Sequence, residues 1–178
     1  MNKPLLLIDV DGPLNPYAAK PTRRPPGFQT HRLLSGAFTD PLGRPWVKGG
    51  IRVWLNPDHG RQLLELTDVV DLVWATAWND LANKLIAPIL GLPQLPTIEC
   101  VWQRGDPLRI WKRPSVEEYV RHRPYAWLDD EFTPMDLTEA GMRDRMIAPT
   151  LYEPVSPRTG ITDKHLGNVR RWAEGSRQ

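Results

Sequence analysis

The chain has a single cysteine, Cys100, in 178 residues. One thiol excludes an internal disulfide framework and any multi-cysteine zinc site, and it fits a reducing compartment. Histidine is also scarce: His31, His59, His122 and His165 are scattered without metal-ligand spacing, which argues against a histidine-built zinc or catalytic centre. No apolar run approaches the ~20 residues that a membrane helix needs. The N-terminal run "LLLI" stops at Asp9, too short and too acidic for a secretory segment. The expected location is the cytoplasm, with no membrane partner. An excess of one charge sign is missing too, since 23 Lys and Arg stand against 21 Asp and Glu, mixed along the sequence. A sequence pI near 8.8 is compatible with a phosphorylated or nucleic-acid substrate, but a mixed solvated surface has the same balance. There is no internal repeat and no low-complexity tract.

What the chain does have is 40% hydrophobic content and eight tryptophans, enough to bury the core of one domain spanning 1–178. Nineteen prolines fall mostly between periodic segments, as in "KPTRRPPG" (20–27), "GLPQLP" (91–96) and "SPRTG" (156–160), and mark loops and helix starts. Between them, buried strands are predicted at "KPLLLIDV" (3–10), "VVDLVWAT" (69–76), "TIECVW" (97–102), "YAWLDD" (125–130) and within "MIAPTLYEP" (146–154). Helices are predicted over 57–68, 78–90, 113–122, 133–144 and 162–175, three of them opened by a proline. This alternation implies α/β architecture: a Rossmann-like three-layer fold, with a parallel sheet covered by helices on both faces. Residues 17–56 interrupt it. With "FQTHRLL" and "RPWVKGGIRVWL" around glycine-rich turns, they read as a hairpin or flap inserted after the first strand, without a large cap domain.

In such sheets chemistry gathers outside the carboxyl ends of the strands. Asp9 and Asp11 end the first predicted strand, Thr76 the second, and Asp129 and Asp130 the "YAWLDD" strand. Side chains two apart on a strand point the same way, so Asp9 and Asp11 are expected to face one shared ligand. Four converging carboxylates need a cation, and an all-oxygen site of this kind suits Mg²⁺. Lys112, just before the helix opened by Pro114, brings positive charge to the same edge; Arg104, Arg109 and Arg113 are its competitors. Asp129 and Asp130 are also placed to cap the next helix. In the flap, Lys20, Arg23 and Arg24 form a small basic cluster, either a solvated loop or a phosphate-steering patch. Trp74 is expected in the core. Trp78, with Asn79 beside it, reads either as an exposed stacking surface for substrate near the site or, as is commoner for such aromatics, as core packing.

Four motifs in order, "DVDGPLN" (9–15), "WATAW" (74–78), "WKRPSV" (111–116) and "WLDDE" (127–131), resemble motifs I to IV of the haloacid dehalogenase-like (HAD) phosphohydrolases. Within that superfamily, "VDGPLNP", "FQTHRL", "VWLNPDHG" and "WATAWNDLAN" are similar to the HAD domains of Swiss-army-knife RNA repair proteins. The resemblance implies phosphoryl transfer through a covalent aspartyl-phosphate. Asp9 would be the nucleophile and Asp11 the general acid and then base. Thr76 and Lys112 would bind and neutralise the phosphoryl group. Mg²⁺ would sit on the Asp9 side chain, the Asp11 carbonyl and one of Asp129 and Asp130. The implied substrate is a phosphomonoester, with an RNA or DNA end the narrower expectation and a small metabolite the alternative. Pro13 stands where the family usually has Thr or Val, a departure that bears on leaving-group preference.

Other classes fit less well. A response-regulator receiver also clusters aspartates with a Thr/Lys pair, but its phosphoacceptor follows the acidic pair on a middle strand. A haloalkanoate dehalogenase has no need of Asp11. A catalytically silent binding module should have lost one of the four motifs, and all four are present.

Overall fold

Three short buried runs and a partly exposed edge strand pair in parallel to make the central sheet. In the computed structural model, which describes residues 3–33, 50–102 and 108–176, these are β1 (Leu5–Ile8), β4 (Asp71–Trp74), β5 (Tyr125–Asp129) and β6 (Thr150–Pro154). The strand order is β4-β1-β5-β6. Leu7 registers with Val73 on one side and Trp127 on the other. β1 is buried at every position, as a central parallel strand with both faces covered must be.

Alternation along these strands sorts side chains into two cores. Leu6, Ile8, Leu72, Trp74, Ala126 and Leu128 join one, roofed by Leu63 of α1 (Pro57–Glu65), Ala87 and Leu90 of α2 (Ala87–Leu90) and Leu166 and Val169 of α5 (Asp163–Gly175). Leu5, Leu7, Val73, Tyr125, Trp127 and Tyr152 join the other, against Val116 and Val120 of α3 (Arg113–Val120) and Ala140 of α4 (Pro134–Met146). The expected three layers are therefore present, with α1, α2 and α5 on one face and α3 and α4 on the other. Connections leave β1 and β5 toward opposite edges, so the crevice between their carboxyl ends is the switch point of the sheet. The expected hairpin is β2 (Gln29–Leu33) paired antiparallel to β3 (Ile51–Leu55); its connection, 34–49, lies outside the described residues, as does Arg104. Among the described residues no helix is long and apolar enough to cross a membrane.

Two expectations are corrected. The strand predicted at 97–102 reduces to a single bridge between Thr97 and Trp74. Side-chain amides hold the approach to it and its middle. Asn83 accepts from Leu95 N–H and donates to the Leu95 carbonyl, and Asn79 accepts from Cys100 N–H (2.8 Å) and donates to the Cys100 carbonyl (3.2 Å). The helix predicted over 78–90 is a π-helical stretch, Ala82–Ile86, running into α2. Pro88 supplies no N–H and crowds the carbonyl one turn back, which accounts for the widened turn ahead of it.

Candidate active site

The acidic motif is built by the abrupt end of β1. The strand stops at Ile8, Asp9 keeps one ladder bond (its N–H to the Leu128 carbonyl, 3.1 Å), and the chain then turns at Gly12 with φ +87°. Glycine is required at that position twice over. Its φ lies in the left-handed region, and a Cβ there would overlap the Asp130 carboxyl. Asp130 can thus pack against the turn that carries Asp9 and Asp11. From the other strand, Asp129 is the last residue of β5, so the two acidic pairs meet at the switch point.

Asp9, Asp129 and Lys112 are all but sealed from solvent, at 3%, 0% and 1% exposure. Lys112 Nζ donates to Asp9 Oδ2 at 2.5 Å and to Asp129 Oδ2 at 2.7 Å, and lies 3.2 Å from Glu131 Oε2. Asp9 Oδ1 accepts from Val10 N–H, and the buried Thr76 hydroxyl favours the charged form of Asp9. Burial raises the Asp9 carboxyl to about 6, more than Lys112 and Thr76 lower it. Asp129 is pushed up as well, by burial first and then by the negative charge of Asp9. Burial alone would lower Lys112, but Asp9 and Asp129 outweigh it and hold the ammonium charged. One cation between two buried carboxylates leaves the site short of positive charge.

Asp11 is in a different environment. Its Oδ2 accepts from the Trp78 indole N–H at 2.8 Å and its Oδ1 from the Asn15 amide at 2.7 Å, and no cationic side chain pairs with it among the described residues. Asp9 and Asp11 are thus held by different partners. Beyond Ile8 the chain is turning, so strand alternation no longer sets side-chain direction. The carboxylate oxygens that converge to within 4.8 Å of one another belong to Asp9, Asp129 and Asp130. That donor set, all hard oxygen, fits a hard divalent cation. Asp11 is left only the main-chain role that the resemblance implies.

Trp78 and Asn79 are corrected as substrate contacts. Trp78 is 8% exposed with its N–H committed to Asp11, so it holds a carboxylate rather than offering a stacking face. Asn79 sits at φ +46° with both polar atoms of its amide on Cys100. Thr76 is buried beside them, accepting from Trp78 N–H at 3.3 Å. Lys20, Arg23 and Arg24 are exposed in the turn ahead of β2, and Arg24 donates to Thr30 Oγ1 at 2.8 Å. Of the competitors for the Lys112 role, Arg109 and Arg113 both reach Glu139 instead.

Three supporting residues escape sequence reasoning. Asn15, four residues after Asp11, holds it and at the same time accepts from Trp54 N–H (3.0 Å) in β3. Tyr17 donates its hydroxyl to Asp130 Oδ2 at 2.9 Å. Asp136, fully buried in the first turn of α4, accepts from Ile110 N–H at 2.9 Å and so anchors the segment that delivers Lys112. Only Asn15 has a local signal, a polar residue closing a turn that begins with an aspartate.

Together the fold and the cleft define an α/β protein with an acidic, lysine-bridged site at the switch point of a parallel sheet. No protein-family model matches the chain, and no curated protein matches it.

Proposed function

We propose that this chain is a Mg²⁺-dependent phosphomonoesterase of the HAD type, working through an aspartyl-phosphate on Asp9 in the cytoplasm, with phosphorylated nucleic-acid or nucleotide ends as its substrates. One observation carries the reading. Two carboxylates two residues apart are held in opposite ways, Asp9 by a buried ammonium and Asp11 by two neutral N–H donors. A nucleophile must bear charge next to the charge of the phosphate. An acid/base group must gain and lose a proton without a cation pinning it.

A carboxylate oxygen of Asp9 attacks phosphorus, and the bond from phosphorus to the ester oxygen breaks. Asp11 gives its proton to the departing alkoxide. Water then attacks the phosphorus of the aspartyl-phosphate, Asp11 takes the proton from that water, and the acyl-phosphate bond breaks to free phosphate and Asp9. Lys112 neutralises charge at Asp9 throughout, in a dry site where such an interaction is strong. Thr76 orients Asp9. Mg²⁺ on Asp9, Asp130 or Asp129 and the Asp11 carbonyl would neutralise the phosphate as it enters. Tyr17 holds Asp130 in place.

The test is turnover of p-nitrophenyl phosphate and of an alkyl phosphate with Mg²⁺ and with EDTA. Asp9→Asn should abolish both activities, EDTA should do the same reversibly, and Asp11→Asn should impair the first step more for the alkyl ester, whose leaving group needs the proton. Activity retained by Asp9→Asn would falsify the covalent route.

A further inference from the structure

The outer face of the hairpin concentrates positive charge without any acid. Residues 17–33 and 50–56 carry Lys20, Arg23, Arg24, Arg32 and Arg52 and not one Asp or Glu, in a chain whose net charge is only +2. Alternation divides the hairpin cleanly. Leu33, Val53 and Leu55 face the main core, so Thr30, Arg32, Arg52 and Trp54 share the opposite face. On it, Arg32 lies directly across the ladder from Arg52. Like charges in that relation repel. No acidic side chain pairs with either among the described residues.

The arginines are nonetheless arranged. Arg52 sets its guanidinium over the Trp54 ring, 4.4 Å from the centroid, in a cation–π contact that restrains it. Arg24 folds back onto Thr30. Pro21, Thr22, Arg24, Thr30, Arg52 and Trp54 line a cleft of about 520 Å³. It is roomy enough for a few atoms of a single extended strand and far too small for a duplex. Its floor is tied to the acidic site, because Trp54 N–H donates to Asn15, which donates to Asp11.

We propose that this face binds the sugar–phosphate backbone of a single-stranded polynucleotide, with Arg24, Arg32 and Arg52 on phosphodiesters beyond the terminal phosphate; as a substrate surface it rests on the phosphomonoesterase reading above. Fork-shaped donors suit phosphate oxygens, and a guanidinium held over an indole offers both a charge and a stacking plane. An acidic peptide carries similar charge at other spacings and without bases.

The test is equilibrium binding, by fluorescence anisotropy, of a labelled single-stranded oligoribonucleotide that lacks a terminal phosphate. For single strands the logarithm of affinity falls with the logarithm of salt by about 0.7 per phosphate neutralised, so one contact is worth about 5-fold at about 0.1 M salt. Arg32→Gln with Arg52→Gln should therefore weaken binding about 25-fold and flatten the salt slope by about 1.4. Lys164→Ala, an exposed charge on α5, should change neither. A thermal midpoint no lower than that of the wild type, expected once the opposed charges are gone, verifies the fold; should the double variant melt lower, Arg52→Gln alone, with half the slope change, decides. Wild-type affinity and slope in the variants, an equal loss in Lys164→Ala, or competition by polyglutamate as effective as by RNA would each overturn the proposal. Because the probe has no scissile phosphate, a wild type that binds it yet hydrolyses no phosphomonoester refutes the phosphatase reading and leaves this surface standing. The opposite pair of results does the reverse.

Discussion

Replacing Lys112 by Met should cost stability as well as activity, and the cost should depend on pH. Lys112 Nζ is the only cation within reach of Asp9 and Asp129 among the described residues, and all three groups are buried. Methionine fills most of the volume but leaves two carboxylates in a dry site with no counter-charge. Removing one partner of a buried pair costs about 3–5 kcal/mol. For a domain of this size that is a fall in Tm of roughly 6–20 °C near pH 8, at about 2–4 °C per kcal/mol. The carboxylates can escape by taking up protons. Asp9 already sits at about 6 with the lysine present, and losing the group that lowers it most moves it higher. The difference between wild type and variant should therefore shrink as pH falls toward 5, to the roughly 1–3 kcal/mol of a neutral polar group left without its partner. Adding Asp129→Asn should recover part of the loss at pH 8 and little at pH 5. Tryptophan fluorescence melts in chelator at the two pH values measure all four quantities. A Lys112→Met protein within about 1 kcal/mol of wild type at pH 8, or a gap that does not narrow in acid, would refute a charge-deficient site.

The metal-free Asp9→Asn protein should be more stable than wild type at pH 8, by up to about 3 kcal/mol, because a carboxyl raised from 3.8 to about 6 in the fold contributes stability that is present below 3.8 and lost as pH rises through 6. Denaturant midpoints should therefore show the advantage disappearing by pH 4. His59 acts with the opposite sign: burial lowers it to about 4, so up to about 3 kcal/mol is lost as pH falls from 6.5 toward 4. The two offset each other in wild type, so His59→Gln should gain stability on acidification and Asp9→Asn should lose it, and parallel pH profiles for the two variants would sink this assignment. Asn15→Ala should strand the Trp54 N–H at a cost of about 1–3 kcal/mol and slow alkyl-phosphate turnover more than aryl-phosphate turnover, since Asp11 loses one of its two holders. Equal losses on both esters would show Asn15 to be structural only.

The sheet was legible because three of its strands, β1, β4 and β5, are short, nearly unbroken runs of buried residues, and such runs need no partner to be recognised. "LLLI" and "YAWLD" read as central parallel strands, and they are. Where the reading failed, a side chain from elsewhere had taken over a backbone duty. "TIECVW" has strand composition, but Asn79 holds the Cys100 backbone and Asn83 the Leu95 backbone just ahead of it, and beyond the bridge at Thr97 the segment adds only Ile98 N–H to the Trp74 carbonyl. The helix over 78–90 was right in kind and wrong in detail. Its apolar period survives a π turn, and the proline responsible was in view at position 88.

The site divides along the same line. Asp9, Thr76, Lys112 and Asp129 were legible as strand-end or helix-start residues, and topology alone brings them together at the switch point. Asp11 lies three residues past the end of β1 in a turn governed by Gly12, so alternation does not reveal its partners, Trp78 and Asn15. In the fold, Trp78 reaches across 67 positions and Asn15 across four to hold Asp11 away from the ammonium. On the proposed mechanism, the separation of nucleophile from proton carrier rests on two neutral N–H donors. Because Asn15 also holds β3, Asp11 is tied to the hairpin whose outer face carries the arginines.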